Sequence, residues 1–150
     1  MEPSTLGNVL VMAKIENLED VFNAEKGLIA SDQIRSVEID DALIDTRATT
    51  LLLPQRLIDA LGLHPLRLRS ARGLEGSLAI PMYRAVKLTI QGRDCALDVG
   101  AIGDEFPVLI GQVPLEMLDW VVDLKGRRLI GNLEHRGEQM MEVFVETSHT

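Results

Sequence analysis

The sequence predicts an all-β domain, either a barrel or a sandwich, and three observations support this. Apolar residues make up 46% of the 150 residues and charged residues 25%, which is typical of a globular protein. The apolar residues recur in short runs bounded by Gly, Pro or Asp, as expected of many short strands. Aromatic residues are only 3% of the chain, so the core must consist of Leu, Ile, Val and Met. The length is that of one ordinary domain, and we therefore expect a single domain over residues 1–150.

Strands are predicted wherever a short apolar run, or an alternation of apolar and polar residues, stands between turn residues. These strands and buried runs are expected at 7–16, 34–39, 42–44, 66–72, 78–90, 95–99, 106–111, 121–124, 127–130 and 139–146. Gly73 and Gly76 bracket the expected tip of a hairpin between the fourth and fifth of them. A chain with about ten short strands is typical of an all-β architecture.

One firm helix is predicted over 54–62. Pro54 suits a first helical turn, where a missing N–H loses no hydrogen bond, and Gly62 suits the position that ends a helix. The segment 17–27 is ambiguous because it has both helical spacing and end signals, and 114–118 has room for one helical turn.

Charge and cysteine content exclude several classes of partner. The chain has 15 Lys and Arg against 23 Asp and Glu, a net charge of −8, which disfavours a nucleic-acid surface. Cys95 is the single cysteine, which excludes an intrachain disulfide framework, and the three scattered histidines give no metal-ligand pattern. We therefore expect no metal and no cofactor. No apolar run approaches the ~20 residues that cross a bilayer, and the first residues lack the pattern of a secretory signal, so a cytoplasmic protein without a membrane partner is expected.

Asp45 is the acidic residue that most needs an explanation. It ends the apolar run 42–44 and is followed by Thr46, Arg47 and Ala48. A carboxylate that emerges from a core costs free energy unless it is hydrogen-bonded. Taken alone, the pattern is explained by an aspartate that turns the chain and accepts a backbone N–H.

Two further segments change that interpretation. The segment 51–54 with its helix follows Asp45, and a second apolar run, 108–111, ends in glycine. Together the three resemble the retropepsin-like (clan AA) aspartic proteases, in particular the small prokaryotic retroviral-type enzymes, over about residues 37–135. The matching pieces are Leu43-Ile44-Asp45-Thr46-Arg47-Ala48-Thr49, Leu109-Ile110-Gly111 and the hairpin from Gly73 to about Tyr83. The resemblance implies a closed β-barrel with one short helix, which acts as a homodimer on a peptide or protein substrate.

The resemblance also implies roles for particular residues. Asp45 would be the catalytic carboxylate, Thr46 the hydroxyl that braces two active-site loops, and Ala48 the small residue that lets them pack. The hairpin would be a flap, and the Leu109-Ile110-Gly111 segment would cross behind the Asp45 loop to form a ψ-shaped motif. The substrate-binding residues implied are Arg47, Gly73, Gly76, Tyr83, Ile110 and Gly111.

Asp98-Val99-Gly100-Ala101 is a second sequence of the type Asp-x-Gly-Ala. Only one hairpin and no second barrel separates it from Asp45, so we expect Asp98 to face solvent. One catalytic aspartate per chain then implies a homodimer with Asp45 of each subunit on the two-fold axis. The apolar C-terminal stretch within 139–150 is the expected place for subunit contacts, because an exposed apolar strand tends to pair.

Arg47 departs from the family pattern, which has glycine there. Two carboxylates that share one proton are sensitive to a nearby guanidinium, which favours the ionised form of both. If the glycine conformation has a positive φ, arginine is also strained there. The sequence leaves open an aspartic endopeptidase, a peptide-binding pseudoprotease of the same fold, and an unrelated β-barrel interaction module. A basic strip on the hairpin, Arg67, Arg69, Arg72 and Arg84, is typical of a solvated face, with contact to an acidic substrate or a partner subunit as the alternative.

Overall fold

The computed structural model describes residues 8–143, and their architecture is mostly β. One mixed sheet contains seven strands: β1 Leu10–Asn17, β2 Ser36–Ile44, β3 Leu51–Pro54, β4 Pro65–Gly73, β5 Gly76–Ile90, β6 Arg93–Ile102 and β7 Leu109–Ile110. A separate hairpin contains β8 Trp120–Asp123 and β9 Arg128–Gly131. The helices are α1 Leu18–Glu25, α2 Gln55–Leu61 and α3 Gln112–Leu118, with 3-10 turns at Ser31–Gln33 and Leu133–His135. The prediction of a β-rich class is confirmed.

The strand order of the large sheet is β1-β2-β7-β3-β6-β5-β4. Strand β7 is parallel to β2 and antiparallel to β3, and β3 is parallel to β6. The short β7 therefore lies between β2 and β3, two strands that are consecutive in the sequence. This insertion places the residues after β2 next to the residues after β7.

The expected closed barrel is wrong for the sheet as a whole. Strand β1 pairs with Val86–Thr89 in the C-terminal part of β5, so the sheet curls strongly. Strand β4 pairs with the N-terminal part of the same long strand and has no second neighbour among the described strands. Because β5 has 15 residues, its two parts take different partners, and the β4–β5 hairpin extends beyond the curled part of the sheet.

The core is aliphatic, as the composition predicts. Alternate residues of β1 point inward, with Val11, Ala13 and Ile15 buried, while Leu10 and Met12 are exposed. The largest fully buried side chains include Leu51, Leu53, Ile58, Leu61, Leu88, Ile90 and Ile110. Ile44 at the end of β2 and Leu51 at the start of β3 are both buried, so the two ends of the loop that follows β2 are anchored in the core.

Three helices replace the single firm helix of the prediction. Helix α2 lies where it was expected, and Gly62 ends it with a φ of +64°. The ambiguous segment is helix α1, because the Asn17 side chain accepts a hydrogen bond from the Asp20 N–H at 3.0 Å. Helix α3 occupies the place of the predicted single turn.

The predicted last strand at 139–146 is not a strand over 139–143, where the chain is irregular, and 144–146 lie outside the described residues. The start of the predicted strand 7–16 also falls partly outside them. No helix within residues 8–143 has the length and apolar character needed to cross a membrane.

Candidate active site

Asp45 follows β2 directly and begins a tight loop that ends at β3. Its backbone N–H donates to the Ile110 carbonyl at 2.9 Å, which extends the β2–β7 pairing by one residue. The Ala48 N–H donates to the Asp45 carbonyl at 3.0 Å and closes a turn. The backbone of Asp45 is thus fixed from two directions.

Gly111 holds this loop against the residues that follow β7. Its N–H donates to the Thr50 carbonyl at 3.0 Å, and the N–H groups of Gln112 and Val113 donate to Ala48 and Thr49 at 2.9 and 2.8 Å. A Cβ added at Gly111 would lie 2.5 Å from the carbonyl oxygens of both Ala48 and Thr50. Only glycine permits this approach of two backbones, which fixes the segment after β7 against the Asp45 loop.

The Asp45 carboxylate is held by the neighbouring Arg47. The Arg47 N–H and Nε donate to Asp45 Oδ1 at 3.0 and 3.1 Å, and one terminal nitrogen donates to Oδ2 at 3.4 Å. The Asp45 side chain is 15% exposed, whereas that of Arg47 is 85% exposed. Burial raises the pKa of the Asp45 carboxyl, but the hydrogen bonds and charge of Arg47 outweigh burial and hold this pKa below its ordinary value.

Arg47 therefore reaches solvent while its guanidinium lies against the carboxylate. Its backbone is not among the described positions with a positive φ, which outside glycine are Gln91, Asp119, Arg127 and Arg136. The conditional expectation of left-handed strain at Arg47 does not apply. Arg47 acts on the charge of Asp45 and not on the backbone of the loop.

A groove of about 670 Å³ lies between this loop and the β4–β5 hairpin. Its volume is within the range of about 300–1,000 Å³ typical of ligand sites. The groove is lined by Arg47, Ala48, Thr49, Thr50, Leu52, Arg69, Ser70, Ala71, Arg72, Gly73, Leu78, Ile80, Met82, Ile102, Phe106 and Leu109. Asp45 itself does not line the groove, but its carboxylate is bonded to Arg47, which does.

The structure brings together some of the predicted site residues and separates others. Arg47, Ala48 and Gly73 line the groove, whereas Ile110 and Gly111 support the Asp45 loop from behind. Gly76 has a φ of +114° at the hairpin tip, where glycine suits the turn. Thr46 is exposed.

Tyr83 does not line the groove, although the resemblance implied a substrate-binding role. It packs against the core, and its hydroxyl lies 3.5 Å from the Gln55 amide nitrogen. Successive side chains of a strand point to opposite faces, so the neighbouring Met82 faces the groove and Tyr83 faces away from it.

Sequence reasoning missed most of the groove. The alternation of Leu78, Ile80 and Met82 on β5 is a usable signal, because these residues share one face of a predicted hairpin. Phe106 and Leu52 come from segments distant in sequence, and no spacing rule connects them with β5. Leu52 reaches the groove because β3 pairs with β6, which in turn pairs with β5.

The structure also shows the surroundings of three residues outside the groove, Cys95, His135 and Asp98. Burial raises the pKa of the Cys95 thiol to about 11, with a smaller contribution from Asp94, so it is a poor nucleophile at neutral pH. His135 was expected to be exposed, but its side chain is only 11% exposed and lies between two carboxylates. Asp98 is exposed, as predicted. Within residues 8–143, no three residues of the types His, Cys, Asp and Glu are grouped so as to hold a metal ion.

No protein-family model matches the chain, and no curated protein matches it. The chemistry of the site therefore has to be inferred from its own geometry. Three features define that geometry: a half-buried carboxylate, the guanidinium in contact with it, and the groove beside them.

Proposed function

We propose that the chain is an aspartic endopeptidase of the retropepsin type, which hydrolyses peptide bonds as a homodimer. The observation that carries this proposal is the position of Asp45. Its carboxylate stands on a loop fixed by β7 and Gly111, beside a groove whose other wall is a long hairpin. A fixed carboxylate next to a groove of this size is what an acid–base hydrolase requires.

The reaction uses Asp45 from each of two subunits. One carboxylate takes a proton from water, which attacks the peptide carbonyl, and the other gives a proton to the leaving amine. Two carboxylates at close distance share one proton, because they cannot both be ionised without strong repulsion. The exposed Thr46 next to Asp45 is the residue that braces the paired loops, and the β4–β5 hairpin closes over the substrate. The free Cys95 fits a cytoplasmic location, where thiols stay reduced.

A second function, peptide binding without cleavage, is favoured by one observation. The three hydrogen bonds from Arg47 to Asp45 stabilise the ionised carboxylate. In a dimer, two guanidinium groups would face two carboxylates and displace the shared proton. The chain would then be a pseudoprotease that keeps the groove and lacks the chemistry.

The two functions are separated by pH–rate profiles on one peptide pool. The chain as it is, Asp45→Asn and Arg47→Gly are compared under identical conditions. An endopeptidase with a lowered Asp45 pKa cleaves only in acid, Arg47→Gly is faster with its optimum nearer neutrality, and Asp45→Asn is inert. If neither the unaltered chain nor Arg47→Gly cleaves at any pH, the pseudoprotease is the better description.

The dimer is tested by sedimentation at micromolar concentration. We expect a mass of two chains, and a monomer there would count against the endopeptidase because each chain supplies one Asp45. Removing residues 144–150 tests the predicted role of the C-terminal stretch, and this truncation keeps the contacts of Met140 and Glu142. An unchanged mass after the truncation would place the subunit contacts outside residues 144–150.

A further inference from the structure

We infer that the groove takes an extended peptide in which apolar side chains are flanked by a side-chain carboxylate, and that Arg69 recognises that carboxylate. The inference rests on the proposed function, because it names the substrate class of the same groove. It would hold equally for a pseudoprotease, which binds without cleaving. Its test therefore measures binding and not turnover.

One wall of the groove is suited to apolar side chains. Leu78, Ile80 and Met82 occupy alternate positions of β5 and present one continuous apolar face. Phe106, whose surface is 48% exposed, and Leu52 face the groove from other segments. An exposed apolar surface of this kind, surrounded by polar residues, is typical of a binding site.

The charge of the groove is opposite to that of the whole protein. The chain carries a net charge of −8, yet the described residues that line the groove include three arginines and no Asp or Glu. Arg47 is paired with Asp45, whereas Arg69 and Arg72 are exposed and form no ion pair with a described residue. Arg69 pairs with Ile80 and shares its face of the hairpin, whereas Arg72 pairs with Ser77 and lies on the other face. Guanidinium groups recognise carboxylates through two parallel hydrogen bonds, so Arg69 is the arginine available for an acidic ligand.

The structure divides the basic strip that the sequence predicts. Arg69 and Arg72 line the groove, while Arg67 does not, although it lies on the same strand. Arg84 lines a separate cavity of about 360 Å³ near α1. Of the four arginines, Arg69 is the one that lines the groove and also lies on the same face of the hairpin as its apolar wall.

An extended peptide suits the groove better than a polyanion does. Five consecutive residues, 69–73, line it, so β4 contributes its backbone as well as its side chains. Strand β4 also has one edge without a partner among the described strands, and such an edge accepts an added peptide strand. A polyanion has no apolar groups to pack against the apolar wall, and the net negative charge of the protein repels it.

The test compares two labelled peptides by fluorescence anisotropy. They share the same apolar residues, and the second has Gln wherever the first has Glu. All chains carry Asp45→Asn so that no peptide is cleaved, and Arg47→Gln so that the arginine released from Asp45 adds no further cation to the groove. The variant is Arg69→Gln, and Arg72→Gln is the matched control, because it removes one charge from the opposite face of the same strand.

We expect the Glu peptide to bind more tightly than the Gln peptide. Arg69→Gln loses this preference with a weakening of about 1.4- to 5-fold, the contribution of one exposed ion pair. Arg72→Gln keeps the preference, and added salt reduces it in the parent. Equal binding of the two peptides, equal loss in Arg72→Gln, or equally tight binding of a single-stranded oligonucleotide would each overturn the inference.

The outcome is distinct from that of the proposed function. If the Glu peptide binds as expected but the chain with Asp45 restored never cleaves it, the inference stands and the endopeptidase fails. If that chain cleaves peptides without preference for Glu, the endopeptidase stands and the inference is wrong.

Discussion

Asp45 and Asp119 are both mostly buried carboxylates in contact with a basic side chain, yet their surroundings differ in kind. Asp45 is bonded to Arg47, two residues along the chain, and the guanidinium is 85% exposed. Asp119 is bonded to His135 at 2.6 Å, and both side chains are about one-tenth exposed. The first pair is local and faces solvent, whereas the second joins distant parts of the chain.

The contacts of Asp119 attach the C-terminal segment to the rest of the fold. Asp119 ends α3 with a φ of +56° and also accepts the Met140 N–H at 2.9 Å. The second ring nitrogen of His135 lies 2.8 Å from Glu142. Arg93 adds hydrogen bonds to the carbonyls of Leu118, Asp119 and Gly137 and stacks over Trp120 at 3.8 Å.

The difference shows which of the two carboxylates can contact a ligand. Every partner of Asp119 is a structural attachment, and losing it exposes polar groups that have no other partner nearby. Within residues 8–143 the Asp45 carboxylate has Arg47 as its single partner, and an exposed arginine is easily hydrated when the pair separates. Asp45 is therefore available to a ligand, and Asp119 is not.

The largest effect is expected from Gly111→Ala, which breaks the scaffold beneath Asp45. The new Cβ meets two backbone carbonyls, which cannot move as a flexible side chain can. We expect a loss of about 1–3 kcal/mol in the free energy of unfolding, typical of overpacking, together with a displaced Asp45 loop. Urea denaturation measures this loss. Gly103→Ala is the control, because its Cβ meets only the side chain of Glu105, and equal losses in the two variants would contradict the role of Gly111.

The next effect is expected from Asp119→Asn. The neutral amide no longer stabilises a protonated His135, and one of its two terminal atoms can only donate. We expect a lower melting temperature than for Asp98→Asn, which changes an exposed aspartate of β6. Limited proteolysis should cleave Asp119→Asn first after residue 135. Identical melting of the two variants would show that the Asp119 contacts do not attach the C-terminal segment.

A smaller effect concerns the pH dependence of stability. The hydrogen bonds that the His135 ring donates to the carboxylates of Asp119 and Glu142 raise the pKa of His135 above 6.5, so its contribution to stability is full below 6.5 and is lost as the pH rises through the raised value. The hydrogen bond from His135 lowers the pKa of Asp119 below 3.8, so that contribution is present above 3.8 and is lost only in stronger acid. Melting temperatures between about pH 6 and pH 9 should fall for the unaltered chain and change less for His135→Gln. Parallel curves would contradict a protonated His135.

The smallest effect is expected from Arg47→Lys. Lysine keeps the charge and loses the paired hydrogen bonds, so the pKa of Asp45 rises less than in Arg47→Gly. Stability should fall only slightly in both variants, because the Arg47 side chain is 85% exposed. An NMR titration of the Asp45 carboxyl carbon measures the shift in either an active or an inactive protein. A fall in the pKa of Asp45 in either variant would contradict the contacts described here.

The sequence predicts the local elements well and the long-range arrangement poorly. Pro54 and Gly62 mark α2 because end signals act within a few residues, and Gly73 and Gly76 mark the hairpin for the same reason. The alternation along β5 shows that the strand exists, but it does not show that β4 and β1 share one of its edges. The predicted closed barrel is wrong because β4 and β1 pair with different parts of the same edge of β5.

The candidate site shows the same division. Asp45 and Gly111 could be singled out because their segments match a pattern, and the structure places them in contact through Ile110 and Ala48. Tyr83 follows Met82 on β5 and so lies on the opposite face of the strand, which excludes it from the groove. The pairing of Asp119 with His135 has no signal in spacing, since the two meet only after the β8–β9 hairpin reverses the chain.

The insertion of β7 between β2 and β3 also sets the order in which the site is made. A ribosome synthesises Asp45 and its loop long before Ile110, whose carbonyl accepts the Asp45 N–H, and before Gly111. Pairings between segments distant in sequence form late in folding because closing a long loop costs entropy. A nascent chain that has reached the hairpin therefore carries the acidic residue without the geometry around it. The site can therefore assemble only after Ile110 and Gly111, in the last third of the sequence, have been synthesised.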